Sequence, residues 1–385
     1  MTTDRLVQPP GPALVTGGNG FIGSWVVKEL LGLGFDVHAT VRDATDPIRT
    51  EPLRALDQGR GTLKLFAADL LEPAAFKHAM AGCEVVFHTA SPVALRGVKD
   101  TVSDLIEPAT QGTRNVLETA TRTTTVRRVV LTSSVAAIYG DAVELEETEG
   151  RLFDESHWNE TSSEIHQPYS FSKTLAERLA WRIAESQDRW DLVVLNPALT
   201  LGPALTRHSR SESVRVIREF ATGYYRAGAP HFEVAIVDVR DVADAHVQAA
   251  LRPNASGRHI LVSESLTLLE IGRILRERYG EGFPFPRLTV PKFVVGLLAP
   301  LRGIPRAVVR LNVGYPLRFD NRYAEADLGI EFGPAADAIV DQFQQLLDDG
   351  LIPGPKVGRR LRKGTRGPAE RGADRQAARD SRAGA

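Results

Sequence analysis

Tyr169 and Lys173, four residues apart in Tyr169-Ser170-Phe171-Ser172-Lys173, form a pair capable of acid–base chemistry. On a helix, positions four apart share a face. An ammonium beside a phenol favours the phenolate and lowers the phenol pKa from about 10. Such a tyrosine exchanges a proton with a carbonyl or alcohol oxygen. Thr132-Ser133-Ser134 closes an apolar run and offers hydroxyls to the same oxygen. Ser134 is the first choice for that contact and Ser133 the second; one of the two is expected to cap the segment that follows. Tyr-x-x-x-Lys alone is common by chance, so the reading depends on a second motif.

That motif is Gly17-Gly18-Asn19-Gly20-Phe21-Ile22-Gly23. It follows a short apolar strand, Ala13-Leu14-Val15, and opens a segment with helical apolar spacing. Gly17 permits the tight turn, Gly20 lets the backbone approach a pyrophosphate, and Gly23 lets the helix pack close to the strand. Helix-start N–H groups then face the anion. The strand–turn–helix context makes the triplet a dinucleotide site. After the second strand come Arg42 and Asp43. An arginine there suits the 2′-phosphate of NADP, whereas a carboxylate suits the ribose of NAD. Arg42 favours NADP; in the other reading Arg42 stacks on adenine and Asp43 holds the ribose of NAD.

Alternating elements must position these groups. Strands are predicted at Val37–Val41, Leu63–Ala67, Val85–His88, Val129–Thr132, Leu192–Leu195, Val234–Val237 and His259–Val262. Helices are predicted at Ser24–Leu33, Pro73–Met80, Val102–Thr121, Tyr169–Ser186, Val239–Leu251 and Leu268–Tyr279. Near-continuous apolar strands between helices imply a parallel sheet covered on both faces. The fold class is therefore α/β: a doubly wound parallel Rossmann sheet with a smaller mixed C-terminal substrate lobe. The expected domains are 12–262, with part of the lobe inserted at about 198–232, then 263–352, then a basic disordered tail, 353–385. Phe293–Leu301 is expected to be a buried helix or a wall of the pocket.

The strings Thr16–Trp25, Thr40-Val41-Arg42-Asp43, Ala68-Asp69-Leu70, His88-Thr89-Ala90-Ser91-Pro92, Thr132-Ser133-Ser134 and Tyr169–Glu177 together resemble the extended short-chain dehydrogenase/reductase family. The likeness runs over about residues 12–350 and is greatest to the dihydroflavonol-reductase-like branch of the epimerase/dehydratase superfamily. Asn196-Pro197, Leu201-Gly202-Pro203 and Val237–Ala243 extend it. The resemblance implies that Asp69 and Leu70 contact the adenine, and that Thr89, Ala90 and Ser91 pass the ribose and phosphates. It implies that Lys173 also holds the nicotinamide ribose, that Pro197 to Thr200, including Leu199, line the nicotinamide, and that Asn115 kinks its helix and fixes a water near the lysine. Two departures stand out. Ile138-Tyr139-Gly140 replaces the asparagine that plant dihydroflavonol reductases often carry after the serine, and Gln167-Pro168 replaces the cinnamoyl-CoA reductase signature before the tyrosine. Neither plant substrate carries over.

Composition bounds the rest. The 385 residues are 43% hydrophobic and 25% charged, which is ordinary for a soluble protein. A net charge of -1 argues against a whole-surface field for nucleic acid. The tail from Lys356 to Ala385 carries ten Lys/Arg against three Asp/Glu, but it lacks aromatics for stacking on bases. A single cysteine, Cys83, excludes an internal disulfide and a multi-cysteine metal site, and reads as a small apolar filler. No metal, no signal peptide and no membrane contact is expected, and the location expected is cytoplasmic. The acidic stretch Gly140–Gly150 is expected to be a solvated loop near the pocket mouth. Phe220, Tyr224, Tyr225, Phe283, Phe285 and Phe293 suggest an apolar or aromatic guest. The function expected is NADPH-dependent, reversible reduction of a ketone or aldehyde by a Ser134, Tyr169 and Lys173 set, in a monomer or homodimer. Rival readings are a nucleotide-sugar epimerase or dehydratase, an NAD-dependent hydroxysteroid or alcohol dehydrogenase, and a non-catalytic NADP-sensing module.

Overall fold

The computed structural model describes residues 7–9, 11–91, 100–205 and 212–355. Residues 206–211 of the expected insertion and the basic tail from 356 on lie outside these. The strands are β1 (Pro12–Thr16), β2 (Asp36–Val41), β3 (Thr62–Ala67), β4 (Val85–His88), β5 (Arg128–Thr132), β6 (Asp191–Pro197), β7 (Leu199–Leu201), β8 (Ala229–Pro230), β9 (Glu233–Asp238), β10 (Gly257–Leu261), β11 (Glu264–Thr267) and β12 (Thr289–Val290). The helices are α1 (Phe21–Gly32), α2 (Pro47–Arg54), α3 (Lys77–Met80), α4 (Glu107–Arg122), α5 (Pro168–Glu185), α6 (Glu212–Thr222), α7 (Val239–Leu251), α8 (Leu268–Tyr279), α9 (Lys292–Leu298), α10 (Arg306–Asn312), α11 (Arg322–Leu328) and α12 (Ala335–Asp348).

Seven strands form one parallel sheet in the order β10-β6-β5-β4-β1-β2-β3. This is the doubly wound Rossmann arrangement, and the order reverses between β1 and β4. Side chains alternate across each strand. Ala13 and Val15 join the core under α1 and α7, while Leu14 joins the opposite core under α3, α4 and α5. Cys83 is buried in that second core, as a filler would be. A third core lies in the C-terminal lobe, where α6, α8 and α12 cover a small mixed sheet, β11-β9-β7.

Several local expectations are corrected. Pro73–Met80 yields only the single turn α3, because the Ala75 and Lys77 N–H groups donate three residues back, to the carbonyls of Glu72 and Ala74, rather than into a four-residue helical ladder. The helix predicted from Val102 starts as a π-turn over Val102–Ile106. Pro108 supplies no N–H, and Glu107 N–H reaches back to Val102 O, so the register widens before α4 begins. The acidic stretch is solvated only in part: Glu146, Glu147 and Glu149 are exposed, but its start is buried. It forms 3-10 turns, and Asp141, 2% exposed, accepts from Asn312 and pairs with His166 while Glu144 caps the turn. Phe293–Leu301 is not buried: α9 contains no buried residue, and Phe293, Leu297 and Leu301 face outward. Among the described residues no helix is long and apolar enough to cross a membrane.

Arg128 anchors the strand that leads to Ser133 and Ser134. Its guanidinium is fully buried. It donates twice to Asp191 at 2.7 Å and also to the carbonyls of Ala249, Arg252 and Pro253, where α7 ends. Orphaned helix-end carbonyls need such donors. Arg128→Ala is expected to lower stability by about 3 kcal/mol, through the cavity and the unpaired carbonyls. Asp191 stays half-exposed, so it adds little to that cost. The denaturant midpoint checks this, and an unchanged midpoint would remove the anchoring role.

Candidate active site

The glycine turn joins β1 to α1 at the reversal point of the sheet. Gly17 has φ +65, and a Cβ there would lie 3.0 Å from Ala90 Cα. A Cβ on Gly23 would collide with the Gly17 carbonyl and the Thr89 hydroxyl. Only glycine allows this packing. Gly17 and Gly18 N–H groups donate to Thr40 at 3.2 and 2.9 Å, which pins the turn to β2. Gly20 caps α1 without a side chain, leaving the first helical N–H groups to an anion. Thr89 donates to Thr16 O at 2.6 Å and Ala90 N–H donates to Thr16 Oγ1 at 3.2 Å, so the Thr89–Ser91 segment lies against the turn.

Tyr169 and Lys173 stand on α5, one turn apart, and both line a cavity of about 550 Å³. Ser134 lines the same cavity, close enough to Tyr169 for its hydroxyl to favour the phenolate. It also caps the short 3-10 turn after β5, accepting from Ala136 N–H at 3.2 Å. Ser133 instead donates to Glu177 Oε2 at 2.5 Å and is 5% exposed, so its hydroxyl is engaged beneath the cavity. Lys173 Nζ donates to Ser91 Oγ at 3.0 Å and lies 6.0 Å from the Tyr169 ring centroid.

The electrostatics correct one expectation. Burial pushes the Tyr169 phenol up to about 12, outweighing the lowering effect of Ser134. The phenol is therefore neutral near pH 7. Burial pushes Lys173 down to about 8, and the Glu177 charge opposes that fall. His88, buried below the lysine, is held down to about 3 by burial and by the Lys173 charge, so its ring is neutral.

Glu177 has no role assigned by the sequence motifs, yet it organises the floor of the site. It is 1% exposed. It accepts from Ser133, from Asn196 Nδ2 at 2.8 Å and from Arg258 Nε at 2.6 Å. Asn196 also donates to the Ser134 carbonyl at 3.1 Å. The signal was present: Tyr169, Lys173 and Glu177 recur every four residues along one helical stripe.

The remaining residues sort by position. Phe21, Ile22, Thr89, Ser91, Pro197 and Leu199 line the cavity with the glycines Gly20 and Gly23. Arg42 is exposed at the carboxyl end of β2, while Asp43 Oδ1 accepts from Thr45 N–H at 2.9 Å and Thr45 Oγ1 at 2.6 Å. Asp69 is exposed at the end of β3, and Leu70 packs over Gly112. Asn115 does not line the cavity. Its amide donates to Leu70 O at 2.7 Å and its oxygen accepts from Gln111, so it ties α4 to the Asp69-Leu70 turn rather than reaching Lys173. None of the six aromatics expected to shape the pocket lines it. Phe220, Phe283 and Phe285 fill the core of the C-terminal lobe, and the cavity takes Phe21, Tyr139 and Phe232 instead.

With this geometry in view, the sequence profile of the NAD dependent epimerase/dehydratase family matches residues 13–263. The chain belongs to that family. Its relatives place it in the extended short-chain dehydrogenase/reductase branch. Cinnamoyl-CoA reductase 1 of Petunia hybrida is 36% identical over 89% of this chain and 93% of its own. Dihydroflavonol 4-reductase of Zea mays is 32% identical over 89% of this chain and 90% of its own. Among solved structures, yeast methylglyoxal/isovaleraldehyde reductase complexed with NADPH superposes with a TM-score of 0.70 at 25% identity, covering 89% of this chain and 100% of its own. Vestitone reductase from alfalfa gives 0.67 at 25% identity over 89% and 100%.

Lys173 offers a direct check of the electrostatics. In protein without dinucleotide, its ε-carbon NMR resonance is expected to titrate near pH 8. Glu177→Gln removes the charge that supports the ammonium, so the midpoint should fall below that of the parent protein. The sign for stability follows from linkage. Between about 8 and 10 the unfolded chain holds the lysine proton more tightly than the folded one, so stability rises with pH in that window. A Lys173 midpoint near 10 would overturn the assignment of burial as the dominant cause.

Proposed function

We propose that this protein reduces the carbonyl group of a neutral, largely apolar small molecule to an alcohol, reversibly, with NADPH as its cofactor. The observation that carries the reading is the convergence of Ser134, Tyr169 and Lys173 on the same cavity as the glycine turn.

The residues present fit the dinucleotide. A cradle without Cβ atoms faces the α1 N-terminus, and Thr89 and Ser91 line the continuing wall. Arg42 is exposed where a 2′-phosphate would sit, and Asp43 is occupied by Thr45, which supports NADP over NAD. When bound, the dihydronicotinamide would supply hydride to the carbonyl carbon. The chain supplies orientation and the proton. Ser134 and Tyr169 hydroxyls bond the carbonyl oxygen. Tyr169, protonated at neutral pH, gives up its proton to that oxygen as the alcohol forms. The Lys173 ammonium, charged below about pH 8, stabilises the phenolate left behind and holds the Ser91 side of the dinucleotide site. Phe21, Val135, Tyr139, Phe232 and Val234 surround the guest with apolar surface. Glu212 and Glu233 also line the cavity, which disfavours an anionic guest.

Tyr169→Phe tests the chemistry. Turnover should fall at least about 10²-fold while the NADPH dissociation constant stays within about threefold. NADPH absorbance with a panel of ketones and aldehydes reads the first, and fluorescence titration the second. Wild-type turnover in the variant would overturn the role of Tyr169. Epimerisation of a sugar nucleotide with no net NADPH consumption would overturn the reductase reading. Arg42→Ala should weaken NADPH at least about tenfold and leave NADH unchanged, since a charge-assisted phosphate contact is lost. Equal weakening of both would return the Asp43 reading.

A further inference from the structure

Between Glu281 and Asp320 the chain carries six cations, Arg287, Lys292, Arg302, Arg306, Arg310 and Arg318, and no acidic residue. The whole chain has 48 acidic residues against 47 basic ones, so this stretch departs sharply from the balance elsewhere. It contains α9, the 3-10 turn Ala299–Arg302 and α10. These pack on one another through a small cluster of Ala299, Val309 and Val313, joined by Val295, Ile304 and Phe232.

The opposite side of this unit is apolar and open. Phe293 is 78% exposed, Leu297 67%, Leu298 47% and Leu301 82%. Single exposed apolar side chains need no explanation, but four within nine residues do. In the same unit Lys292, Arg302, Arg306 and Arg310 are exposed. Two of these cations are held in place: Lys292 donates to Arg310 O at 2.8 Å, and Arg302 lies 4.5 Å from the Tyr224 ring centroid. Exposed apolar side chains and exposed cations together in one short helical unit are the pattern of a segment lying in the plane of a membrane interface.

We propose that α9 and the turn after it dock on an anionic phospholipid surface. Phe293, Leu297, Leu298 and Leu301 enter the boundary between headgroups and acyl chains, and the lysine and arginines of the unit meet the lipid phosphates. Charge decides against a second copy of this chain as the occupant. Two copies meeting through the same patch would bring their cations together with no carboxylate from this stretch between them. The surface also adjoins the cavity, because Phe232 packs on the α9–α10 cluster and lines the cavity wall. An apolar guest partitioned into lipid would thus lie close to the cavity of the docked protein.

The full chain is tested by flotation with phosphatidylcholine vesicles, with and without phosphatidylserine. Binding that requires phosphatidylserine and falls with salt is expected. A Phe293→Glu, Leu297→Glu, Leu301→Glu triple variant should lose at least about tenfold in vesicle affinity. All three sites are exposed, so its thermal midpoint should match the parent. Arg306→Gln with Arg310→Gln should weaken binding about tenfold while the apolar face stays intact. Absence of binding by the parent overturns the proposal. So does full binding by the triple variant, which would assign the contact to the basic tail. A parent that sediments as a dimer, with a monomeric triple variant, would assign the face to a second copy instead.

Discussion

A buried ammonium is the constraint from which the rest of the site follows. Lys173 is 6% exposed, and a charge so placed is unstable without compensation. Ser91 accepts from it, and Glu177 lies four residues further along α5 to support its charge. That carboxylate is itself buried and must be satisfied in turn. Arg258 supplies a charge-assisted bond from β10, Asn196 an amide from β6, and Ser133 a hydroxyl from the end of β5. Arg258 then stacks 3.9 Å from the Trp158 ring centroid and donates to the carbonyls of Glu155, His157 and Ala137. Satisfying one buried charge thereby ties the tyrosine helix to three strand ends. Such a network rigidifies when complete and is costly when one member is removed.

The second constraint is steric and belongs to the sheet. Strand order reverses between β1 and β4, so the chain must leave the two strands in opposite directions and open a crevice at their carboxyl ends. Thr16 closes the bottom of that crevice. Its hydroxyl meets His88 Nδ1 at 2.9 Å and accepts from Ala90 N–H, while its carbonyl accepts from Thr89. His88 is kept neutral by burial and by Lys173, so it can take part in this hydrogen bonding without adding a second cation. The turn and the buried lysine are thus linked through the Thr16–His88 contact, and the cofactor half of the site is built from strand ends and the segments that leave them.

What was legible in the sequence follows that division. The strand–turn–helix context identifies the glycine turn because Gly17 and Gly23 face spacing that no Cβ fits. Tyr169 and Lys173 were readable because helical periodicity alone puts them on one face. The helices Val239–Leu251 and Leu268–Tyr279 have the predicted bounds, since their apolar stripes are strong and their caps, Asp238 and Thr267, are local. Periodicity says nothing about which buried cluster an aromatic joins, so Phe220, Phe283 and Phe285 were misplaced from core to pocket. It also cannot tell an inward apolar stripe from an outward one, which is why α9 was expected to be buried. The sign of the Tyr169 shift needed depth, because desolvation outweighs the opposing effect of Ser134 and Glu212 adds to the rise. The short strand β7 escaped notice because its three residues carry no period of their own.

The substrate half is made differently. Its wall uses Tyr139, which follows a 3-10 turn, and Phe232 and Glu233 at the entry to β9. Tyr139 stacks on Phe153 and meets Phe319 edge-on, at centroid distances of 5.2 and 5.5 Å. Glu233 accepts from Leu317 N–H at 2.9 Å and pairs with Arg318 at 2.7 Å. The cavity wall therefore rests on the segment Leu317–Phe319, which lies at the end of the cation-rich stretch after α10. Changes in that stretch can reshape the cavity without touching the tyrosine, the lysine or the glycine turn. A framework of this kind keeps one reaction while its guest varies, and the reaction is for that reason far easier to read from the chain than the molecule it acts on.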